Sequence, residues 1–183
     1  MSRLLTPASV EASPVGSQAL LNAVKSQLGV VPNLFRVVGN SPAALEGYLS
    51  LNTALGKGAL DVRTRERVAL AVAEFNGCSY CLSAHSFLGK NKARLDDAEI
   101  AANRDGHSHD ARADAALQFA LKVLETRGHV ADADLSAVRL AGYSDAEIVE
   151  IVLHVALNTL TNYVNEVART AIDFPAVTAR RAA

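Results

Sequence analysis

Tryptophan is absent from the 183 residues, methionine occurs once, and aromatic residues make up 5% of the chain. So few rings speak against a base-stacking surface for single-stranded nucleic acid. An excess of either charge is missing as well: 18 Lys and Arg stand against 19 Asp and Glu, a formal net charge of −1. Binding to phosphates wants a basic stripe, so no nucleic-acid partner is expected. No apolar run approaches the roughly 18 residues that span a bilayer. The opening stretch "MSRLLTPASVEASPVGSQALLNAVKSQ" has no continuous apolar segment followed by a small-residue cleavage site. A cytoplasmic protein with no membrane partner is the expectation. Cysteine is scarce too, Cys78 and Cys81 being the only two. In a reducing compartment a C-x-x-C pair is more often catalytic or metal-binding than a structural staple.

Half of the residues are apolar and a fifth are charged. That composition builds a sizeable core without disulfides, and the length suits one domain over 1–183 or two small repeats sharing a core. Residues 1–14 carry two prolines and no clear period, and read as an extended arm. "GSQALLNAVKSQLG" has helical spacing and stops at Gly29. Pro32 and Pro42 punctuate a short helix, and Ser41-Pro42 opens the next, which ends near Gly56 or Gly58. "LDVRTRERVALAVAEFNG" is apolar on more than one face, as a central helix is, and Asn76-Gly77 stops it. Another helix follows from about Cys78 to about Asn91. "LDDAEIAANRDG", "HDARADAALQFALKVLETRG" and "ADADLSAVRLAG" continue the helical pattern. The last helix reads through "SDAEIVEIVLHVALNTLTNYVNEVARTAIDF", with Ser144 and Glu147 as a capping box. No alternating strand pattern of useful length occurs, so the fold class is all-α.

One internal echo stands out. A shift of 81 residues lays "TRERVALAVAEFNGCSYCLSAH" over "DAEIVEIVLHVALNTLTNYVNE", with Glu66 on Glu147 and Cys81 on Asn162. A duplicated hairpin whose second copy lost its thiols would give this pattern, with a degenerate repeat over about 126–175. Two unrelated apolar helices also align this well.

On a helix of ~100° per residue, Cys81 falls about 60° and His85 about 20° from Cys78, so the three share one narrow stripe. Cys78 lies at the helix start, where free amides and the macrodipole favour an anion. His85 is one turn beyond Cys81 and can reach it. Both effects lower a thiol's pKa and make it nucleophilic. An activated thiolate, a base and a second thiol are the minimum for a two-cysteine peroxide reductase. Zinc would need a fourth ligand, and His107 and His109 in "DGHSHD" read as a solvated loop. A c-type haem needs histidine where Leu82 stands, and a thioredoxin-like motif expects a βαβ context. Two inert buried thiols remain an account of the cysteines, although not of His85 on their stripe. Glu66 and Glu74 share a broad face of the preceding helix, and spacing does not choose between them as partner of the thiols. Either glutamate also suits a surface ion pair with Arg63, Arg65 or Arg67.

The constellation E-x11-C-x-x-C-x-x-x-H, realised as Glu66, Cys78, Cys81 and His85, resembles the core of alkylhydroperoxidase D-like proteins of the carboxymuconolactone decarboxylase superfamily. The core resemblance runs over about residues 40–125. "NTLTNYVNEVARTAIDFP" is similar to the longer subgroup of peroxidase-related proteins. The resemblance implies an all-α fold assembled as a homo-oligomer (a dimer, trimer or hexamer) that reduces hydroperoxides without metal or organic cofactor. It implies Cys81 as the attacking thiol, Cys78 as its disulfide partner, and His85 with Glu66 as the proton relay. It thereby favours Glu66 over Glu74. The best-studied members carry histidine between the cysteines where this chain has Tyr80. The expected activity is that of a thiol peroxidase taking a hydroperoxide and an external dithiol. A redox sensor or scaffold, or a lyase of the decarboxylase type, are the competing functions.

Overall fold

Helix starts in this chain are marked by short polar side chains. Ser41, Asp61, Asp96, Asp110 and Ser144 each sit in extended backbone and accept a hydrogen bond from an amide of the turn that follows. Each cap satisfies a donor that the helix itself leaves unpaired. The structure, a computed structural model, describes residues 2–180, and among them it contains helices and no strand. In chain order these are α1 Val15–Leu28, α2 Asn33–Val38, α3 Pro42–Leu55, α4 Val62–Phe75 and α5 Ser79–Asn91. They continue with α6 Asp97–Arg104, α7 Ala111–Thr126, α8 Asp132–Leu140 and α9 Asp145–Ala168. The fold is all-α, as the periodicity predicts.

Helix α4 is the centre. Every residue from Val68 to Ala73 is buried, and the helix touches α5, α6, α7 and α9. It belongs to two apolar clusters at once. Leu70 and Ala73 pack with Leu21, Leu34, Leu45 and Leu82. Val68, Ala71 and Val72 pack with Leu117, Ala120, Ile148 and Ile151. A helix that is apolar on more than one face finds a favourable place between such clusters. At its end Gly77 takes a φ of +71°, Gly77 N donates to Glu74 O at 3.1 Å and Cys78 N to Ala73 O at 2.9 Å. Glycine enters that left-handed region without steric cost. The chain therefore doubles back at once, and α5 lies along α4 with Cys78 as its N-cap.

Two features differ from the sequence reading. The last helix stops at Ala168 instead of running to Phe174, with Arg169 left-handed at φ +49°. The cause is tertiary. Residues beyond it take partners on other elements: Asp173 Oδ2 accepts from Asn33 N at 2.8 Å, Val177 N donates to Ser83 Oγ at 2.9 Å, and Ala179 N to Ser79 Oγ at 3.1 Å. Phe174 meets the Tyr80 ring edge-on with centroids 5.9 Å apart. The tail is thus a strap laid over the outer side of α5. The N-terminal arm closes the same end of α9, Arg3 N donating to Ala168 O at 2.6 Å. Second, the segment that the 81-residue shift lays over the α4–α5 hairpin is the single unbroken helix α9. The helical pattern recurs there and the turn does not. Among the described residues no helix is long and apolar enough to cross a membrane.

Candidate active site

The α4–α5 hairpin brings Glu66 opposite His85. Nδ1 of His85 lies 2.8 Å from Glu66 Oε2, and both side chains are mostly buried. Burial by itself would lower the imidazole's pKa, but the adjacent carboxylate outweighs it through charge and hydrogen bond, and the net shift is upward. His85 therefore tends to the imidazolium form, its Nδ1–H donating to Glu66.

Cys78 and Cys81 are both buried free thiols, with their sulfurs 2.6 Å apart. At the N-cap, Cys78 Sγ accepts from Cys81 N at 3.3 Å. The helix start nevertheless does not make Cys78 the anion. The Cys78 thiol is pushed up, first by donating its proton toward Cys81 and then by burial. Cys81 moves the other way, to about 7, because the Cys78 thiol donates to it, Asn165 Nδ2 donates to it at 3.3 Å, and the His85 charge favours the anion, all against the opposing effect of burial. A second amide, from Asn162, favours the charged sulfur as well. The pair thus divides its roles: one sulfur ionised, the other holding a proton beside it.

The asparagines come from α9, whose buried face carries His154, Asn158, Thr161, Asn162 and Asn165. None of these stood out in the sequence as a candidate for the site. Their signal is present, since polar residues recur there every three or four positions opposite an apolar stripe. Asn162 Oδ1 is held by Asn76 Nδ2 at 2.9 Å, which ties α9 to the turn before Cys78. His154 is held neutral, its pKa lowered to about 4 first by burial and then by the charge of Arg65.

Between α3, α5 and α9 a cavity of about 70 Å³ opens onto Cys81 and His85, with Tyr48, Asn52, Tyr80 and Asn158 among its walls. Tyr80, the residue between the cysteines, is fixed at both ends of its hydroxyl. The oxygen accepts from Leu34 N at 3.1 Å, and the O–H donates to Asp173 Oδ1 at 2.8 Å.

Glu74, the other carboxylate considered, is turned to a different task. It is buried, pairs with Arg104 Nε at 2.6 Å and accepts from Arg180 N at 2.5 Å. This ion pair is internal and made to α6, not a surface pair with Arg63, Arg65 or Arg67. Arg67 instead bonds Glu99 Oε1 at 2.7 Å. His107 and His109 are exposed and lie against Asp114 and Glu99. Among the described residues no group of three or more His, Cys, Asp or Glu is arranged to hold a metal ion.

The residues that carry this site also match a family. The model of the carboxymuconolactone decarboxylase family matches residues 42–126. Over 94% of this chain and 92% of its own, the alkylhydroperoxidase AhpD core of an uncharacterized peroxidase-related protein from Ralstonia eutropha superposes with a TM-score of 0.84 at 25% identity. Residues 42–126 thus resemble the carboxymuconolactone decarboxylase family, and the fold as a whole is that of the alkylhydroperoxidase AhpD core. Other solved structures share the fold at lower identity. An uncharacterized peroxidase-related protein from Silicibacter sp. covers 93% of this chain and 94% of its own, with a TM-score of 0.79 at 23% identity. A cysteine-to-alanine variant of the debrominase Bmp8, in complex with 2,3,4-tribromopyrrole, covers 94% and 93% with a TM-score of 0.77 at 20% identity. At those identities the likeness is one of fold. An uncharacterized protein of Haemophilus influenzae is 46% identical over 46 residues, 25% of this chain and 41% of that one, so the match spans less than half of that relative. The names carried by these matches include decarboxylase, alkylhydroperoxidase and debrominase, so the fold is shared by proteins named for more than one chemistry.

Proposed function

We propose that this chain is a thiol peroxidase that reduces small hydroperoxides with electrons from an external dithiol. The observation that supports it most is the setting of Cys81, which lines the cavity together with His85, accepts from Asn165 Nδ2 at 3.3 Å and has the Cys78 sulfur 2.6 Å away. Cys81 thiolate attacks the hydroxyl-bearing oxygen of the peroxide. The S–O bond forms, the O–O bond breaks, and the electron pair leaves with the alkoxide. The His85 imidazolium, held by Glu66, gives the proton that turns this alkoxide into an alcohol. Cys78 then displaces hydroxide from the Cys81 sulfenic acid, which leaves as water with the Cys78 proton, and a disulfide remains. A dithiol reduces that disulfide by exchange and restores both thiols. The cytoplasm is where such a reductant is kept reduced, and we place the turnover there. The cavity of about 70 Å³ has room for roughly five water-sized positions, which suits a small substrate or the hydroperoxide end of a longer one. We also propose that the protein works as a homo-oligomer, because α9 carries an exposed apolar face.

Consumption of an alkyl hydroperoxide in the presence of excess dithiothreitol tests the reading. Cys81→Ser is expected to abolish turnover. Cys78→Ser is expected to form one trappable sulfenic acid per chain and stop. Turnover that persists in Cys81→Ser refutes the assignment. A wild type that stops at one equivalent of peroxide is a sensor, and an activity on a small lactone acid that survives loss of both thiols is a lyase.

A further inference from the structure

One hydroxyl in the cavity beside Cys81 has no role in the scheme above. Tyr48 reaches the space from α3, and its ring is set against Phe35 with centroids 5.7 Å apart. Among the described residues no group hydrogen-bonds its O–H. The neighbouring polar groups of α9 are occupied: Thr161 Oγ1 donates to Asn158 O at 2.9 Å, and Asn158 Nδ2 donates to His154 O at 2.8 Å. His85 Nδ1 is held by Glu66 at 2.8 Å. Beside the His85 Nε2–H that the scheme uses, Tyr48, with Asn52 one turn further along α3, is what the cavity offers as an unengaged donor in the space that Cys81 also lines.

The chemistry names a partner for that donor. Scission of the O–O bond moves a full negative charge onto the departing oxygen within the cavity. A donor already positioned there stabilises that charge as it develops, and such donors are worth the most where water is excluded. We infer that Tyr48 is a further catalytic residue of this site, its hydroxyl donating a hydrogen bond to the departing alkoxide oxygen while Cys81 takes the other oxygen of the peroxide. This rests on the peroxidase reading. The phenol keeps its proton throughout, since burial first, and then the negative charges of Cys81 and Glu66, push its ionisation far upward. It is a donor and not the net acid. The S–O bond forms as the O–O bond breaks, sulfur is oxidised to the sulfenic acid, and the peroxide is reduced to an alcohol with the proton from His85.

Tyr48→Phe keeps the ring against Phe35 and deletes only the hydroxyl. The test follows oxidation or alkylation of Cys81 in wild type and variant with three electrophiles: iodoacetamide, tert-butyl hydroperoxide and peracetic acid. Iodoacetamide reads the thiolate alone, and its rate is expected to stay within about twofold, which also reports an intact site. With tert-butyl hydroperoxide the variant is expected to be slower by roughly 100-fold, the usual loss when one such donor is removed. Peracetic acid expels a carboxylate that is stable without help, so its rate is expected to fall far less than that of the alkyl hydroperoxide. Equal losses with all three reagents, or no loss with the alkyl hydroperoxide, overturn the role of Tyr48 and leave the peroxidase reading intact. A wild type that reacts with the hydroperoxide no faster than free cysteine overturns both.

Discussion

Burial alone would lower the pKa of His85, and it is Glu66 at 2.8 Å that reverses the sign. The consequence passes to the sulfur, because the His85 charge is one of the causes that favour the Cys81 anion. Glu66→Gln keeps a hydrogen-bond acceptor near Nδ1 and deletes the charge. The imidazole pKa then falls, the cation next to Cys81 is lost near neutrality, and the thiol pKa rises. Wild-type alkylation by iodoacetamide is expected to increase with pH through a midpoint of about 7. In Glu66→Gln that midpoint moves upward, and the rate at pH 7 falls about fivefold for the first pKa unit of movement and roughly tenfold for each further one. An unmoved midpoint means the carboxylate does not govern the sulfur. Much of this was legible beforehand. Cys78, Cys81 and His85 lie within eight residues of one helix, so their common stripe follows from the helical period alone. The choice of Glu66 over Glu74 came from resemblance, and the pairing of Glu74 with Arg104 on α6 explains why spacing could not make it. Cys81 as the reactive sulfur also came from resemblance; its contact with Asn165 was not legible, since Asn165 is 84 residues from Cys81 and asparagine in a helix carries no local mark of its partner.

Element boundaries were read well where local chemistry sets them and poorly where distant contacts do. The Ser144–Glu147 capping box and the Asn76-Gly77 stop are local, and both are where the sequence puts them. The end of α9 is not local. Asp173 trades a further turn of helix for two hydrogen bonds, one from Asn33 N at 2.8 Å and one from the Tyr80 hydroxyl at 2.8 Å. Helix α5 is held from both sides in this way, by α4 within and by the tail without. Asp173→Ala removes both acceptors. Because Asp173 is exposed, the expected cost is modest, about 1–2 kcal/mol in urea unfolding. Its effect on activity is expected to be larger than on folding, since the freed Tyr80 ring is a wall of the cavity beside Cys81. Unchanged stability together with unchanged peroxide reduction would show that the strap is incidental.

At the scale of the whole molecule, α9 presents opposite faces to opposite needs. The inner face carries the amides that meet Cys81. On the outer face Val149, Val152, Leu153, Leu160, Tyr163 and Val167 are exposed by 38–62%. At ~100° per residue all six fall within about 60° of one line, and no charged residue interrupts them. From Val149 to Val167 the stripe is about 27 Å long, too extended an apolar surface to be left in water by chance. A second copy offers the same uncharged stripe, and two such helices related by a two-fold axis complement each other without any new residue type. Sedimentation is therefore expected to give a species heavier than the 19.3 kDa chain, and a double change of Tyr163→Glu and Val167→Glu to shift it toward that mass. The same change also reaches the chemistry, because Asn162 and Asn165 stand on the other side of the same helical turns. Loosening α9 weakens the amide contact that favours the Cys81 anion, so the alkylation midpoint is expected to rise as the assembly dissociates. A wild type that sediments at the mass of one chain while reducing hydroperoxide at full rate would mean that the stripe serves something other than self-association, and that α9 is held in place by its inner contacts alone.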